Sequence, residues 1–240
     1  FTVEAWVRPG NSVSSVGRMH IFGDQLKDAT GYRLTARKSG IDKYYLEFEM
    51  RDNFGTQKAT YSIRSGTSVL YDLNNWMHVT AVYRGRHGDV PLMYLYCAGK
   101  IVDIIKSGTT YALPDSECNF VPENINGTIA CRGRLDVTST DDDKMGFGGD
   151  IALVKVYDKV IGYAQLSNDF NYKAELFNKT PTNPYDLNND GDMDFQDYAV
   201  LAGAYGLSYT DSAFRPEYDL DGSGMIDLPD VLSLFRNWFN

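Results

Sequence analysis

The chain opens on a period of two. In Phe1-Thr2-Val3-Glu4-Ala5-Trp6-Val7, the residues Phe1, Val3, Ala5 and Val7 fall on one face of an extended segment. Residues 44–52 repeat the pattern, with Leu46, Phe48 and Met50 on one side and Glu47 and Glu49 on the other. Residues 76–85 and 92–105 read as further strands, the second broken at Ala98-Gly99, which predicts a hairpin turn. A late strand is predicted over 149–157, and residues 163–177 read as a short helix that closes the domain. Short strands at this density, separated by Gly, Asn and Asp, predict a mainly β, antiparallel sandwich over residues 1–177.

After a proline-bearing linker at 178–185 the pattern changes. Two short apolar helical stretches, Tyr198-Val200-Leu201 and Val231-Leu232-Leu234-Phe235, each follow a run dense in aspartate. The first run is DLNNDGDMDFQD and the second, 33 residues later, is DLDGSGMIDLPD. Like charges this close repel each other unless a cation answers them, and the spacing is that of a calcium loop. Such loops take oxygen ligands at positions 1, 3, 5, 7, 9 and 12, with Gly at 6 for the sharp turn. Loop one then offers Asp186, Asn188, Asp190, Asp192 (through its carbonyl), Asp194 and Asp197, with Gly191 at the turn. Loop two offers Asp219, Asp221, Ser223, Met225 (likewise by its carbonyl), Asp227 and Asp230, with Gly224 at the turn. A duplicated loop plus helix predicts two calcium ions as structural cofactors. Loop one has more acidic side chains and is expected to bind more tightly. Pro181, Pro184 and Pro216 disfavour a helix ahead of either loop.

Charge follows the same division. Residues 186–240 hold eleven acids and two bases, a net of −9 that equals the whole chain's imbalance. No basic stripe is present to meet nucleic acid, and no apolar run is long enough to span a membrane. The chain starts at Phe1 without Met or a charged leader and reads as a processed product or a fragment.

Two resemblances follow from these residues. Loop plus exiting helix, twice, with Asp at position 12, resembles the dockerin module over 186–240. That implies an EF-hand-like, calcium-folded helical unit that docks onto a protein partner. Positions 10 and 11 are Phe195-Gln196 and Leu228-Pro229 where the best-known dockerins carry small hydroxyl residues, so the cohesin partner of that family does not carry over. The opening strand, Trp76-x-His78-Val79, Leu95-Tyr96-x-x-Gly99-Lys100 and Gly149-x-Ile151-x-x-Val154-x-Val156-Tyr157 together resemble the LamG-like jelly roll of the concanavalin-like superfamily. In this chain Ala152-Leu153 replaces the usual acidic pair of the last strand and Ala98 replaces the hairpin Asn; the resemblance also implies a strand ahead of residue 1, so a sheet edge is expected to be open or filled by another segment.

The same superfamily includes glucanases. Retaining glycosidases need two carboxyl groups about 5 Å apart. Glu47, Glu49 and Asp52 read Glu-x-Glu-x-x-Asp against the glucanase Glu-x-Asp-x-x-Glu, so they are expected to be a solvated outer face of a strand, with no catalytic residue assigned. His20, His78 and His87 show no metal spacing, and His78 is expected to be a satisfied sheet residue. The aromatic residues are expected mainly to pack the sandwich. Asp141-Asp142-Asp143-Lys144 reads as a solvated charge run, and Asn126-Gly127-Thr128 and Asn178-Lys179-Thr180 match glycosylation acceptors. Cys118 and Cys131 are expected to pair, leaving Cys97 reduced on a strand, which fits an oxidising, extracytoplasmic compartment.

The expected function is recognition or adhesion without catalysis. The sandwich would bind a glycan or protein, and the calcium module would tether it. A structural subunit of a larger assembly is the alternative, and a glycoside-active enzyme the third.

Overall fold

The computed structural model describes residues 1–10, 18–23, 31–38, 43–54, 57–64, 71–72, 74–87, 90–105, 128–129 and 147–238. The chain is mainly β, with antiparallel sheets and three α-helices among the described residues, an arrangement consistent with a β-sandwich. The strands are β1 (Thr2–Pro9), β2 (Arg18–Gly23), β3 (Gly31–Lys38), β4 (Lys43–Phe54), β5 (Gln57–Arg64), β6 (Tyr71–Asp72), β7 (Met77–His87), β8 (Val90–Cys97), β9 (Lys100–Ile105), β10 (Thr128–Ile129) and β11 (Gly149–Tyr157). The helices are α1 (Tyr163–Ala174), α2 (Phe195–Gly203) and α3 (Leu228–Asn237). One sheet runs β11-β1-β7-β8-β9; the other runs β10-β2-β3-β4-β5, with β6 beside β4.

The expected strands at 44–52, 76–85, 92–105 and 149–157 are present, and so is the helix from 163, which ends in a 3-10 turn at Glu175–Phe177. The hairpin between β8 and β9 turns at Ala98 (φ 51°) and Gly99 (φ 72°). Gly99 suits that left-handed backbone, whereas Ala98 is strained by its Cβ.

Backbone contacts divide the chain into two compact units. One comprises Val3–Cys97 and Val102–Val156; the other comprises Phe1–Thr2, Ala98–Ile101 and Tyr157–Asn240. Residues 157–185 therefore group with the two acidic loops. Within that unit, the segment read as a linker is bonded to α1. Thr182 exchanges two hydrogen bonds with the Asn171 side chain, its N–H donating to Oδ1 at 2.7 Å and its carbonyl accepting from Nδ2 at 2.6 Å. Its hydroxyl lies 2.8 Å from Ser167 Oγ. Thr182 is thus held to α1 by its main chain and its hydroxyl, which the prolines of this stretch do not signal.

Strands β1 and β4 bury both faces, not one. On β1, Val3, Ala5 and Val7 are buried as expected, but so are Glu4 and Trp6. On β4, Leu46 and Phe48 are buried, and so are Glu47 and Glu49, at 2% and 5% exposure. The expectation that these two glutamates form a solvated outer face is overturned. The register explains it: β3 places Arg33 opposite Glu49 and Thr35 opposite Glu47. Arg33 donates to Glu49 Oε2 at 2.7 Å, and Arg37 reaches Glu47 Oε1 at 3.6 Å. Charge pairing across the strands makes their burial tolerable.

Candidate metal centre

The two acidic loops fold alike, atom for atom in their main features. In loop one the position-12 carboxylate of Asp197 accepts from the backbone N–H of Leu187 (2.7 Å), Asn188 (3.2 Å) and Asp194 (2.7 Å). In loop two the Asp230 carboxylate accepts from Leu220 (2.7 Å), Asp221 (3.3 Å) and Asp227 (2.8 Å), the same three positions. Position 1 accepts from the turn glycine in both loops: Asp186 from Gly191 at 3.0 Å, Asp219 from Gly224 at 2.9 Å. Position 3 accepts from the N–H of position 5: Asn188 Oδ1 from Asp190 at 2.9 Å, Asp221 Oδ1 from Ser223 at 2.8 Å. Gly191 and Gly224 both hold positive φ, 101° and 95°, which a Cβ would oppose.

These loops turn directly into helices. Asp194 is the N-cap of α2 and Asp227 that of α3, and each is closed by a capping box with the position-12 aspartate. Positions 9 and 12 thus do two jobs, ending the loop and starting the helix. Among the described residues, no helix leads directly into either loop, as the prolines suggested.

The loops differ in how far they gather charge. Asp219, Asp221 and Asp230, positions 1, 3 and 12 of loop two, bring one carboxylate oxygen each within 4.8 Å of the others. The same three positions in loop one are Asp186, Asn188 and Asp197, with an amide in the middle whose Nδ2 donates to Asp190 Oδ2 at 2.7 Å. Asp219 and Asp230 are buried, as is Asp197, while Asp190, Asp192 and Asp221 are exposed. Asp194 and Asp227 are half-buried, and Asp227 Oδ1 is buried without a hydrogen-bond partner. At position 5, Ser223 donates to the carbonyl of Met225 at 3.2 Å. Burial first, with a contribution from the Asp221 charge, raises the Asp230 carboxyl to about 6 against the lowering effect of its three N–H donors. The donor set is all oxygen, which suits a hard divalent cation such as calcium over a soft metal.

Sequence reasoning missed one element beside loop two. The N-cap of α1 is Gly162, with no side-chain cap. The first two amides of the helix instead point at the loop: Tyr163 N–H to Asp219 O at 3.4 Å and Ala164 N–H to Leu220 O at 3.3 Å. Burial first, then the charges of Glu217 and Asp186, push the Tyr163 phenol up to about 12. The one signal in the sequence is a Gly where a helix start usually takes a polar cap.

Buried polar groups also mark the sheets. Glu4 Oε2 lies 3.5 Å from His78 Nε2 and Glu4 Oε1 lies 2.9 Å from Lys155 Nζ, with the His78 ring 5.2 Å from that of Trp6. His78 is thus a packed sheet residue, as expected, and Cys97 is buried on β8. Cys118, Cys131, the charge run at 141–144 and the acceptor Asn126 lie outside the described residues. Asn178 is exposed with φ 54° at the end of the 3-10 turn.

Residues 1–167 match Laminin_G_3, a family of the concanavalin A-like lectin/glucanases superfamily. The chain belongs to that superfamily, which holds both enzymes and non-enzymes and fits a carbohydrate- or protein-binding role. No curated protein matches the chain. One similar solved structure is the crystal structure of a mutant of HCR/D, 17% identical, covering 47% of this chain and 26% of that one with a TM-score of 0.32. This chain spans about a quarter of that protein's length, and a likeness at this level carries no argument.

Proposed function

We propose that this is a non-catalytic, extracytoplasmic recognition protein whose C-terminal loops bind two calcium ions in a dockerin-like module. The observation that carries the calcium reading is the repeated hydrogen-bond scheme, position for position, of Asp186–Asp197 and Asp219–Asp230. Asp186, Asn188, Asp190, Asp194 and Asp197 would hold one ion with the Asp192 carbonyl. Asp219, Asp221, Ser223, Asp227 and Asp230 would hold the other with the Met225 carbonyl. Bound calcium would supply positive charge that turns carboxylate repulsion into coordination. The chain's own contribution is to pre-orient the ligands: backbone N–H groups hold the carboxylates at positions 1 and 12 and the side-chain oxygen at position 3 before any ion arrives.

The recognition reading draws on the superfamily and on the state of the sheet carboxylates. Glu47 and Glu49 are committed to Arg37 and Arg33, which favours structure over acid–base work. The tether reading draws on exposed apolar residues of the helices. Phe195, Leu228, Leu232 and Phe235 are all exposed, and Phe195 and Phe235 each lie within about 5.5 Å of the Trp238 ring. Their partner is a protein, and a cohesin is not implied.

Calcium titration by calorimetry on chelator-stripped protein should give two ions per chain, and no heat of binding would refute the metal reading. A glycan array tests the sandwich, and protein-only partners recovered from the native source would favour the structural-subunit alternative. Hydrolysis of a polysaccharide that Glu47→Gln abolishes would overturn the non-catalytic reading.

A further inference from the structure

Two successive peptide groups of loop two are gripped from both sides. The N–H groups of Leu220 and Asp221 donate to Asp230 Oδ1, and the carbonyls on the same two peptides, of Asp219 and Leu220, accept from Tyr163 and Ala164 at the start of α1. The carboxylate, the peptide and the helix amide form a chain of aligned dipoles, in which each bond polarises the next. The amides themselves are two of those a helix start leaves without an intrahelical partner.

The fit around these bonds is closer than the bonds. A Cβ on Gly162 would stand 2.4 Å from the carbonyl carbon of Asp221 and 2.4 Å from Leu220 O. Reciprocally, a Cβ on Gly222 would meet Gly162 N at 2.6 Å. Gly162 itself has φ −68° and ψ 159°, which any residue adopts, so its glycine answers to space and not to backbone conformation. Loop one has no equivalent. Among the described residues, no main-chain donor is assigned to the carbonyls of Asp186 and Leu187, although Asp197 grips the other side of those peptides in the same way.

We infer that the N-terminus of α1 is a positioning element of the second calcium loop, so that ion binding in that loop and order in the first turn of α1 are coupled. The inference rests on the calcium reading above and goes beyond the loop-plus-helix repeat, because α1 starts more than fifty residues before the loop it holds. Coupling is reciprocal: what calcium does for α1, α1 does for calcium. The Gly162 seat is therefore expected to set loop two apart from loop one in affinity.

Amide hydrogen exchange on the full chain, with calcium and with EDTA, tests this directly. The expected result is that calcium slows exchange at Tyr163, Ala164 and Leu166 together with Leu220 and Gly224. Gly162→Ala should weaken calcium binding at loop two by roughly 5- to 150-fold, the usual range of such couplings, and leave loop one unchanged. Gln165→Ala, on the exposed side of α1, should change neither. A merely structural role for α1 would weaken both loops together or neither. Protection at Gly224 that responds to calcium while Tyr163 and Ala164 stay unchanged would overturn the inference and leave the calcium reading standing. No calcium response at Leu220 or Gly224 would overturn both. If Gly162→Ala does not fold, exchange in the unaltered chain decides alone.

Discussion

The two units treat carboxylates in opposite ways. In the sheets, acids meet cations of the same chain: Glu49 with Arg33, Glu47 with Arg37, Glu4 with Lys155 and Asp150 with Arg8. In the loops, the acids at positions 1 and 12 and the side chains at position 3 accept from backbone N–H groups, and among the described residues Arg215 pairs with Glu217 outside both loops. Backbone amides orient a carboxylate and offset part of its charge, but they bring no positive charge to cancel it. On the calcium reading proposed above, the loops would take an outside cation, whereas these sheet acids have cations of their own chain. That reading would account for the net charge of −9 carried by residues 186–240.

The comparison breaks first at Arg33. Its pair with Glu49 is buried on both sides, so Glu49→Gln leaves a buried guanidinium uncompensated. The expected cost is about 3–5 kcal/mol, read by urea denaturation and independent of calcium. Replacing both partners with apolar residues should recover most of it. Next in size is the first ligand of loop one. Asp186→Ala should remove most of the stabilisation that a saturating ion gives, about 2.7 kcal/mol at a hundredfold excess over Kd. Ser223→Ala, which deletes one neutral donor from loop two, should cost clearly less in the same melts. Equal effects would contradict the charge-based ranking of the loops.

A smaller effect sharpens the electrostatic side. The Asp230 carboxyl is raised to about 6 from an ordinary 3.8. Between those values the folded chain holds a proton that the unfolded chain has lost, so stability falls as pH rises. Calcium-free protein should thus gain stability from Asp230 as pH drops from about 6 towards 3.8, and calcium affinity should fall over the same window because the proton competes. Calcium-free melts that are flat across that range, with Asp230→Asn as the control, would refute it. Smallest is the exposed pair of Arg8 and Asp150. Asp150→Asn should change stability by no more than about 1 kcal/mol, and less in high salt.

The opening strand, those over 44–52, 76–85, 92–105 and 149–157, the hairpin at Ala98-Gly99, the helix from 163 and both loop-plus-helix repeats were legible in the sequence because each depends on local period or fixed spacing, whereas β2, β3 and β5 were not. What was not legible depends on strand partners and packing. Glu47 and Glu49 look solvent-facing along β4, and only the register with β3 reveals the arginines that bury them. The stretch 178–185 looks like a linker from its prolines, yet Asn171 and Ser167 tie Thr182 to α1. Gly162 carries no motif, since its role is a close approach to Leu220–Gly222 from a distant part of the chain.

The most direct test of self-sufficient sheets and cation-dependent loops is scanning calorimetry of the intact chain with calcium and with EDTA. The account predicts a transition of the unit containing residues 157–240 that moves to lower temperature in chelator, and a transition of the sheets that does not. A melting profile indifferent to the chelator would contradict it.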